Sequence, residues 1–382
     1  MIFKKIKHFP QTKRIFFIAA LCSCSLSLYL FFKYHTWKSV YALSLCSFTF
    51  ILMNLAASYD DSIENNSKKE FYTYFTILSL GFHLTAFYHC AAEICYLDTN
   101  KKDQLFVDFD KYFFKFWPQG QISIWLDQNK YLNPTTFLGK LINTFFQIFY
   151  MIYFFIPVIC VFGHPLIGTI KESIYIHKNG RKSENYEKVW SELYFMGSCF
   201  IFSFIPVIYG NVNMPAWSPR LFLKNEYKNE LVFFQPIQLI SIRKNESANS
   251  WPSGHISETS VFFYALHILG FRKLEIFIGI CAFNIIWATM ILRCHYFADV
   301  CISVVIAFFA FAISYFCGYR LEMKKFEENK KYKNLNENGN LELGLNNTIS
   351  IENEEDKSKD NYNINIKRNL IKLFYIKCKL FI

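Results

Sequence analysis

The chain has 382 residues and a formal net charge of +11; 53% of its residues are hydrophobic and 20% are aromatic. The apolar residues are clustered in long uncharged blocks, which exclude a soluble globular domain and predict a membrane protein with several spans. The positive charge does not predict a nucleic-acid partner, because Lys and Arg gather beside membrane spans on the cytosolic side.

Eight apolar segments predict eight transmembrane helices, because about 20 apolar residues cross the hydrocarbon core of a bilayer. They are residues 14–33, 39–58, 71–97, 136–163, 189–209, 256–271, 274–292 and 297–318. Pro157 is expected to kink the fourth span. Residues 98–135 mix aromatic residues with Asp, Lys and Gln, which is typical of an interfacial segment, although a plain loop with aromatic anchors fits as well. The predicted fold class is all-α, a multi-span helical membrane protein.

Basic residues cluster at four places that an even number of spans puts on one side of the membrane. These are the N-terminal segment, a polar loop expected within residues 164–188, the Arg272-Lys273 turn and the Lys-rich tail. Cytosolic loops carry the excess of Lys and Arg, so both termini are expected in the cytosol. Residues 98–135, residues 210–253 and the region of His295 then face the lumen or the exterior.

Two histidines and an aspartate are expected to meet at that second face. His255 ends the motif Pro252-Ser253-Gly254-His255 at the entry of the sixth span, and His295 follows the seventh span. One helical hairpin therefore brings both imidazoles to the same end of the membrane. Asp299 lies four residues after His295, one helical turn along, where a carboxylate can fix the tautomer of the ring.

The residues around His255 favour phosphate chemistry. Ser253 and Gly254 offer a hydroxyl, close backbone approach and amides at a helix start, a combination that favours anions. We expect His295 to attack a phosphoester and give a phosphohistidine, while His255 protonates the departing oxygen. The chemistry needs no metal or other cofactor, because a cationic pocket stabilises the phosphate oxygens. Arg220 and Lys224 either supply that charge or are solvated loop residues.

At these residues the sequence resembles the type 2 phosphatidic acid phosphatase superfamily, whose hallmark is PSGH followed by SRxxxxxHxxxD. PSGH is complete, and His295 and Asp299 match, but Ala288-Thr289 stand where the family has Ser-Arg. The sphingolipid phosphotransferase branch commonly lacks that Arg. The segments TMILRCHYFADV and NMPAWSP are similar to segments of fungal inositol phosphorylceramide synthases. The resemblance covers roughly residues 120–318, and the family's first motif, KxxxxxxRP, is not present in order.

The resemblance implies a helical core like that of the phosphatases and an activity that transfers a phospholipid headgroup phosphate, phosphoinositol or a similar group, to ceramide. The substrates would be a phospholipid donor and a ceramide acceptor, in a Golgi or endoplasmic reticulum membrane with the site in the lumen. The expected regions are a cytosolic N-terminus (1–13), three accessory transmembrane helices (14–97), a catalytic membrane domain (98–318) and a disordered cytosolic tail (319–382) rich in Asn, Lys and Glu.

Other functions stay open at this point. Water in place of ceramide as the acceptor would make the protein a lipid phosphate phosphatase, and a different donor headgroup would make it a sphingomyelin synthase. A transporter or channel is an alternative of another class, because His83, His89 and Glu93 lie in the third span and polar residues within a membrane are often functional. The departure at Ala288-Thr289 also leaves room for a pseudoenzyme.

Overall fold

The computed structural model describes residues 10–34, 37–58, 63–97, 102–231 and 250–337, and within them the regular secondary structure is helical. The helices, in chain order, are α1 Gln11–Tyr34, α2 Trp37–Ser58, α3 Ile63–Leu97, α4 Asp103–Phe113, α5 Ile122–Gln128, α6 Phe137–Ile152, α7 His164–Asn179, α8 Tyr186–Asn213, α9 Pro219–Phe222, α10 Gly254–Leu269, α11 Arg272–Ile291, α12 Phe297–Ser314 and α13 Arg320–Glu337. The prediction of an all-α fold is confirmed.

Among the residues that the structure describes, six helical segments are long and apolar enough to cross a membrane. They are Gln11–Tyr34, Ser39–Ala56, Phe137–Asn179, Tyr186–Asn213, Arg272–Ile291 and Phe297–Lys331. The protein is therefore a multi-pass membrane protein, but the count of eight spans is not confirmed. The two remaining predicted spans coincide with α3 and α10. With 16 residues, α10 is shorter than the roughly 20 that cross a bilayer, whereas α3 is long enough but contains several Tyr, Thr and His residues.

Helix α8 lies at the centre of the packing and touches α1, α3, α7, α10 and α12. Close approach of α1 depends on Gly197, because a Cβ there would lie 2.7 Å from the Phe16 ring. At the other end of α8, a Cβ on Gly210 would lie 2.4 Å from Cδ of Pro252. The last turn of α8 therefore supports the segment that leads into His255.

The contacts of α8 define two ends of the helical unit. Ser191, near its start, lies beside Thr12 of α1, with their hydroxyl oxygens 3.3 Å apart. Farther along, Ser257 donates to the carbonyl of Ser203, and Phe200 stacks on Phe262, so α10 runs antiparallel to α8. The start of α10, with His255, therefore lies at the end opposite to Thr12.

One expectation about local structure needs correction. The polar loop expected within residues 164–188 is helical up to Asn179, because Pro165 suits a first helical turn and Gly180, with φ of +64°, ends the helix. The regular helix stops at Ile152 and resumes in α7, so Pro157 lies in an irregular stretch of 3-10 and π turns.

The region expected to be disordered begins with a helix, α13. Its residues are mostly Lys, Glu, Arg, Leu and Met, which are strong helix formers, and an ion pair of Lys324 with Glu328 joins successive turns. High charge excludes a buried core here but does not exclude a solvated helix. Residues 338–382, the rest of the expected tail, lie outside the described residues.

Candidate active site

The structure brings the rings of His255 and His295 together, edge to face, at one end of the helical unit. Their ring centroids are 5.7 Å apart and the ring planes meet at 62°. His255 lies in the first turn of α10, and His295 lies in the short connection between α11 and α12. Two imidazoles this close together can act on the same phosphoester.

His295 is held by two acceptors on the same ring nitrogen. Its Nδ1 lies 2.7 Å from the carbonyl oxygen of Ser250 and 3.1 Å from Oδ2 of Asp299. Oδ2 also accepts from the backbone N–H of Tyr296 at 3.0 Å and from the Ser250 hydroxyl. A carbonyl oxygen only accepts, so Nδ1 carries the proton and Nε2 carries the lone pair. The hydrogen bonds on Nδ1 therefore fix the ring orientation and turn Nε2 away from Asp299.

Aromatic rings from the end of α6 and the turn after it enclose His255. The Tyr150 ring stacks on it at a centroid distance of 4.6 Å, and the Tyr153 ring lies 4.1 Å away. Within the described residues, the buried Nε2 of His255 has no hydrogen-bond partner. The ring is therefore positioned by stacking, and one nitrogen is left for a group that enters the space in front of His295.

Ser253 and Gly254 form the start of α10 beside the two rings. The Ser253 N–H donates to Oγ of Ser303 at 2.8 Å, which anchors the motif to α12. The buried Ser253 hydroxyl lacks a hydrogen-bond partner in the described part of the chain. The first backbone N–H groups of a helix have no partner within the helix, so this end of α10 offers donors to an anion.

The candidate cations occupy different surroundings. The backbone N–H of Arg220 donates to the carbonyl of Arg293 at 3.0 Å, two residues before His295, so Arg220 lies next to the connection between α11 and α12. Lys224, one turn further along the chain, is exposed. Thr289, which stands where the family has Arg, is fully buried and donates its hydroxyl to the carbonyl of Ile286.

Arg293 carries the cation nearest in sequence to His295, but its guanidinium is committed elsewhere. It pairs with Oδ1 of Asp127 at 3.1 Å, lies 3.8 Å from the centre of the Tyr227 ring and donates to the carbonyl of Asn229. Its φ of +62° is unusual for a side chain with a Cβ. Arg293 therefore shapes the connection that presents His295.

Three buried aspartates of residues 98–135 hold that connection, and the sequence analysis did not single them out. We call Asp103, Asp110 and Asp127 the acidic clamp. Asp103 accepts from the Tyr296 hydroxyl at 2.8 Å, and Asp110 accepts from the backbone N–H groups of Phe297 and Ala298 at 2.9 and 3.0 Å. The segment predicted to be interfacial thus caps the N-terminus of α12. The spacing of seven between Asp103 and Asp110, which puts both on one helix face, is the signal that could have found them.

Burial raises the pKa of two aspartates of the clamp, Asp110 and Asp103. It raises the pKa of Asp110 to about 7, with the N–H donors of Phe297, Gln121 and Ala298 opposing the rise. It raises the pKa of Asp103 to about 6, against the Trp217 N–H and the Tyr296 hydroxyl. Asp103 and Asp110 therefore titrate within the pH range of cellular compartments.

Of the polar residues that suggested a transport path, the structure describes the side chain of His83. His83 is buried between helices, with Nε2 2.7 Å from Oγ of Ser27 in α1, which is a contact between packed helices. The side chains of His89 and Glu93 lie outside the described residues.

Comparison with known proteins places the histidine pair within a recognised domain. Residues 217–322 match the family described as the PAP2 superfamily. A PA-phosphatase related-family protein of Dictyostelium discoideum is 28% identical over 197 residues, covering 48% of this chain and 34% of that protein. The chain therefore spans about a third of the length of this relative. No solved structure matches the chain significantly. The C-terminal region of the chain carries a PAP2 superfamily domain.

Proposed function

We propose that the protein is a membrane phosphotransferase that moves a phospholipid headgroup phosphate, phosphoinositol or a similar group, to the primary hydroxyl of ceramide. The observation that carries the chemistry is the pair His255 and His295, with Asp299 behind the second ring. The PAP2 match supports phosphoester chemistry on lipids. The donor headgroup and ceramide rest on the sequence resemblance around Thr289 and His295.

The first half-reaction forms a phosphohistidine. Nε2 of His295 attacks the phosphorus of the donor, because the proton on Nδ1 is held by Ser250 and Asp299. The bond between phosphorus and the diacylglycerol oxygen breaks as the new P–N bond forms. His255 gives its proton to that oxygen, so diacylglycerol leaves as a neutral alcohol.

In the second half-reaction His255 acts as a base instead of an acid, and His295 becomes the leaving group. The acceptor hydroxyl gives its proton to His255, its oxygen attacks phosphorus, and the P–N bond to His295 breaks. The start of α10 at Ser253 and Gly254 supplies donors for the phosphate oxygens. Arg220, beside the connection to His295, is the stronger candidate for the cation, because Lys224 is exposed.

Hydrolysis is the second candidate function. The Dictyostelium relative is described as PA-phosphatase related, and water in place of ceramide in the second half-reaction would give a phosphatase for phosphatidate or a related lipid phosphate. Position 289 holds Thr, whereas the phosphatases that the sequence resembles have Arg there. This difference favours transfer over hydrolysis.

The test is a reconstitution of the purified protein in vesicles with labelled ceramide and one phospholipid donor at a time. A phosphoceramide product whose headgroup follows the donor would support transfer. Phosphate released from phosphatidate without a ceramide product would support hydrolysis and contradict transfer. Neither product from any donor would contradict both enzyme activities and leave a transporter or pseudoenzyme.

A further inference from the structure

Helix α4 has three distinct faces along its 11 residues. An α-helix advances about 100° per residue, so residues three or four apart share a face. The first face is buried and consists of Asp103, Phe106, Val107 and Asp110. Through its two aspartates, this face holds the start of α12. The other two faces are exposed and differ in polarity, and the acidic clamp does not account for them.

The second face of α4 is apolar. We call it the aromatic face, and with one residue just past the end of the helix it consists of Leu105, Phe109, Tyr112, Phe113 and Phe116. These side chains are between 37% and 71% exposed. A contiguous exposed patch of large apolar side chains marks a site of interaction with a protein or a membrane. The aromatic face is therefore expected to have a partner.

The third face of α4 is polar. It carries Gln104, Asp108 and Lys111, all of which are exposed, and Gln104 donates to Oδ1 of Asp108 at 2.8 Å. A helix with one polar and one apolar exposed face lies in the plane of a membrane surface. Its polar face then meets water, and its apolar face enters the boundary between headgroups and acyl chains.

The aromatic face continues into the outer surface of a membrane span. The rings of Phe113 and Phe114 lie 5.8 and 4.7 Å from the ring of Phe297, the first residue of α12. In α12 the row of positions four apart that begins at Phe297 leads through Cys301 to Val305, which is 46% exposed. Because exposed apolar side chains of a span face lipid, this continuity favours the bilayer as the partner of the aromatic face.

We propose that the aromatic face of α4 inserts into the bilayer at the boundary between headgroups and acyl chains, and that this insertion fixes the histidine pair at the level of the phospholipid phosphates. The buried face of the same helix provides the link to the site. Asp103 accepts from the Tyr296 hydroxyl, and Asp110 accepts from the backbone N–H of Phe297. His295 directly precedes Tyr296, so α4 joins the membrane surface to the connection that carries His295. The role in placing the site rests on the proposed function, whereas the insertion does not.

Photocrosslinking tests the insertion without any need for activity. Full-length Tyr112→p-benzoylphenylalanine is reconstituted in phosphatidylcholine vesicles whose lipid is labelled in its acyl chains, and it is then irradiated. Lys111→p-benzoylphenylalanine is the matched control, because Lys111 is the neighbouring residue on the polar face. We expect several-fold more labelled lipid on the Tyr112 variant. Equal labelling of the two variants, or a crosslink from position 112 to a second copy of the chain in place of lipid, would contradict the insertion.

Kinetics test whether the insertion places the histidine pair. Phe109→Ser with Tyr112→Ser removes two rings of the aromatic face, and Gln104→Ser with Asp108→Ser is the matched control on the polar face. Each protein receives the same donor headgroup on long acyl chains in vesicles and on butanoyl chains in solution. The ratio of kcat/KM for the bilayer donor to kcat/KM for the dissolved donor should fall several-fold in the first variant, chiefly through a higher KM of the bilayer donor. The control should keep the native ratio.

The outcomes separate this inference from the proposed function. A native protein that converts neither donor contradicts the proposed function, and the photocrosslink still decides the insertion. An active native protein whose position 112 takes no lipid contradicts the insertion and leaves the chemistry of the histidine pair in place. A native ratio in the Phe109→Ser and Tyr112→Ser variant contradicts the role in placing the site. If that double variant does not fold, Tyr112→Ser alone takes its place.

Discussion

At the scale of single residues, the reactivity of His295 depends on what lies behind the ring. Asp299 is fully buried, and its Oδ2 joins His295, Ser250 and the backbone of Tyr296 in one hydrogen-bond arrangement. The same carboxylate caps the first turn of α12 and fixes the ring of His295. Asp299 therefore sets both the position and the tautomer of the His295 ring, and a substitution of Asp299 affects both.

Asp299→Asn should reduce kcat by about 10⁴-fold, as happens when the carboxylate behind the histidine of a catalytic triad is replaced by an amide. Asparagine keeps the size of the side chain, but its amide N–H is a donor. It can therefore no longer accept at that atom from both His295 Nδ1 and the backbone N–H of Tyr296. Steady-state kinetics with a fixed donor measures the effect. Ser314→Ala, a buried polar site at the other end of α12, is the control and should keep native kinetics. A native kcat in Asp299→Asn would contradict the role of the carboxylate.

At the scale of elements, the acidic clamp ties α4 and α5 to the connection between α11 and α12. Asp110 receives two backbone N–H groups at the start of α12, where a helix has unpaired donors. Asp127 neutralises Arg293, whose positive φ bends the chain just before His295. The clamp therefore positions His295, the nucleophile that we propose, without touching it.

Asp110→Ala should destabilise the protein by about 1–3 kcal/mol, because it removes a helix cap and leaves two buried N–H groups without an acceptor. It should also lower kcat more than it raises the KM of the donor, since the start of α12 carries Asp299. Thermal unfolding in detergent and steady-state kinetics measure the two effects. Asp108→Ala, an exposed neighbour on α4, is the control. Unchanged stability in Asp110→Ala would contradict the capping role.

The raised pKa of Asp110, about 7, predicts a pH dependence of stability. An unfolded Asp has a pKa of about 4, so between pH 4 and 7 the folded protein binds more protons than the unfolded chain. The free energy of unfolding should therefore fall as pH rises through that window and level off above it. Asp110→Asn removes this contribution. Unfolding temperatures measured from pH 4.5 to 8 should fall more steeply for the native protein, and parallel curves would contradict the prediction.

Some of this arrangement follows from sequence and some does not. Long apolar segments predict the helices, because about 20 apolar residues are needed to cross a bilayer. The two helices between His255 and His295 form a hairpin, which predicts that the two residues lie close together. The contact of Asp103 with Tyr296 joins residues 193 positions apart. The local sequence around either residue does not indicate that these two distant segments contact each other. Helix α13 is the opposite case: its low content of apolar residues predicts disorder, but the helix propensity of its residues is sufficient for a helix.

At the scale of the whole molecule, the helices separate two ends. The histidine pair and the acidic clamp lie at one end, and the contact of Thr12 with Ser191 lies at the other. The excess of basic residues at the second end leads us to propose that it faces the cytosol and that the site faces the lumen of an endomembrane.

Glycosylation of inserted sequons tests this orientation. A flexible insert carrying a sequon after Asn129, in the connection between α5 and α6, should be glycosylated in microsomes, because that connection lies beside the clamp. The same insert after Lys182, between α7 and α8, should not be modified. Modification of the second insert and not the first would reverse the proposed orientation. Modification of both would contradict the two-ended arrangement.

The central claim, that His295 carries the phosphate during transfer, is tested most directly by trapping the intermediate. The purified protein is mixed with a donor lipid labelled in its phosphate, without acceptor, and quenched in alkali. Label should appear on the native protein and on a His83→Gln control, and should be absent from His295→Ala together with all product formation. Label retained by His295→Ala, or product formed by that variant at the native rate, would contradict the account.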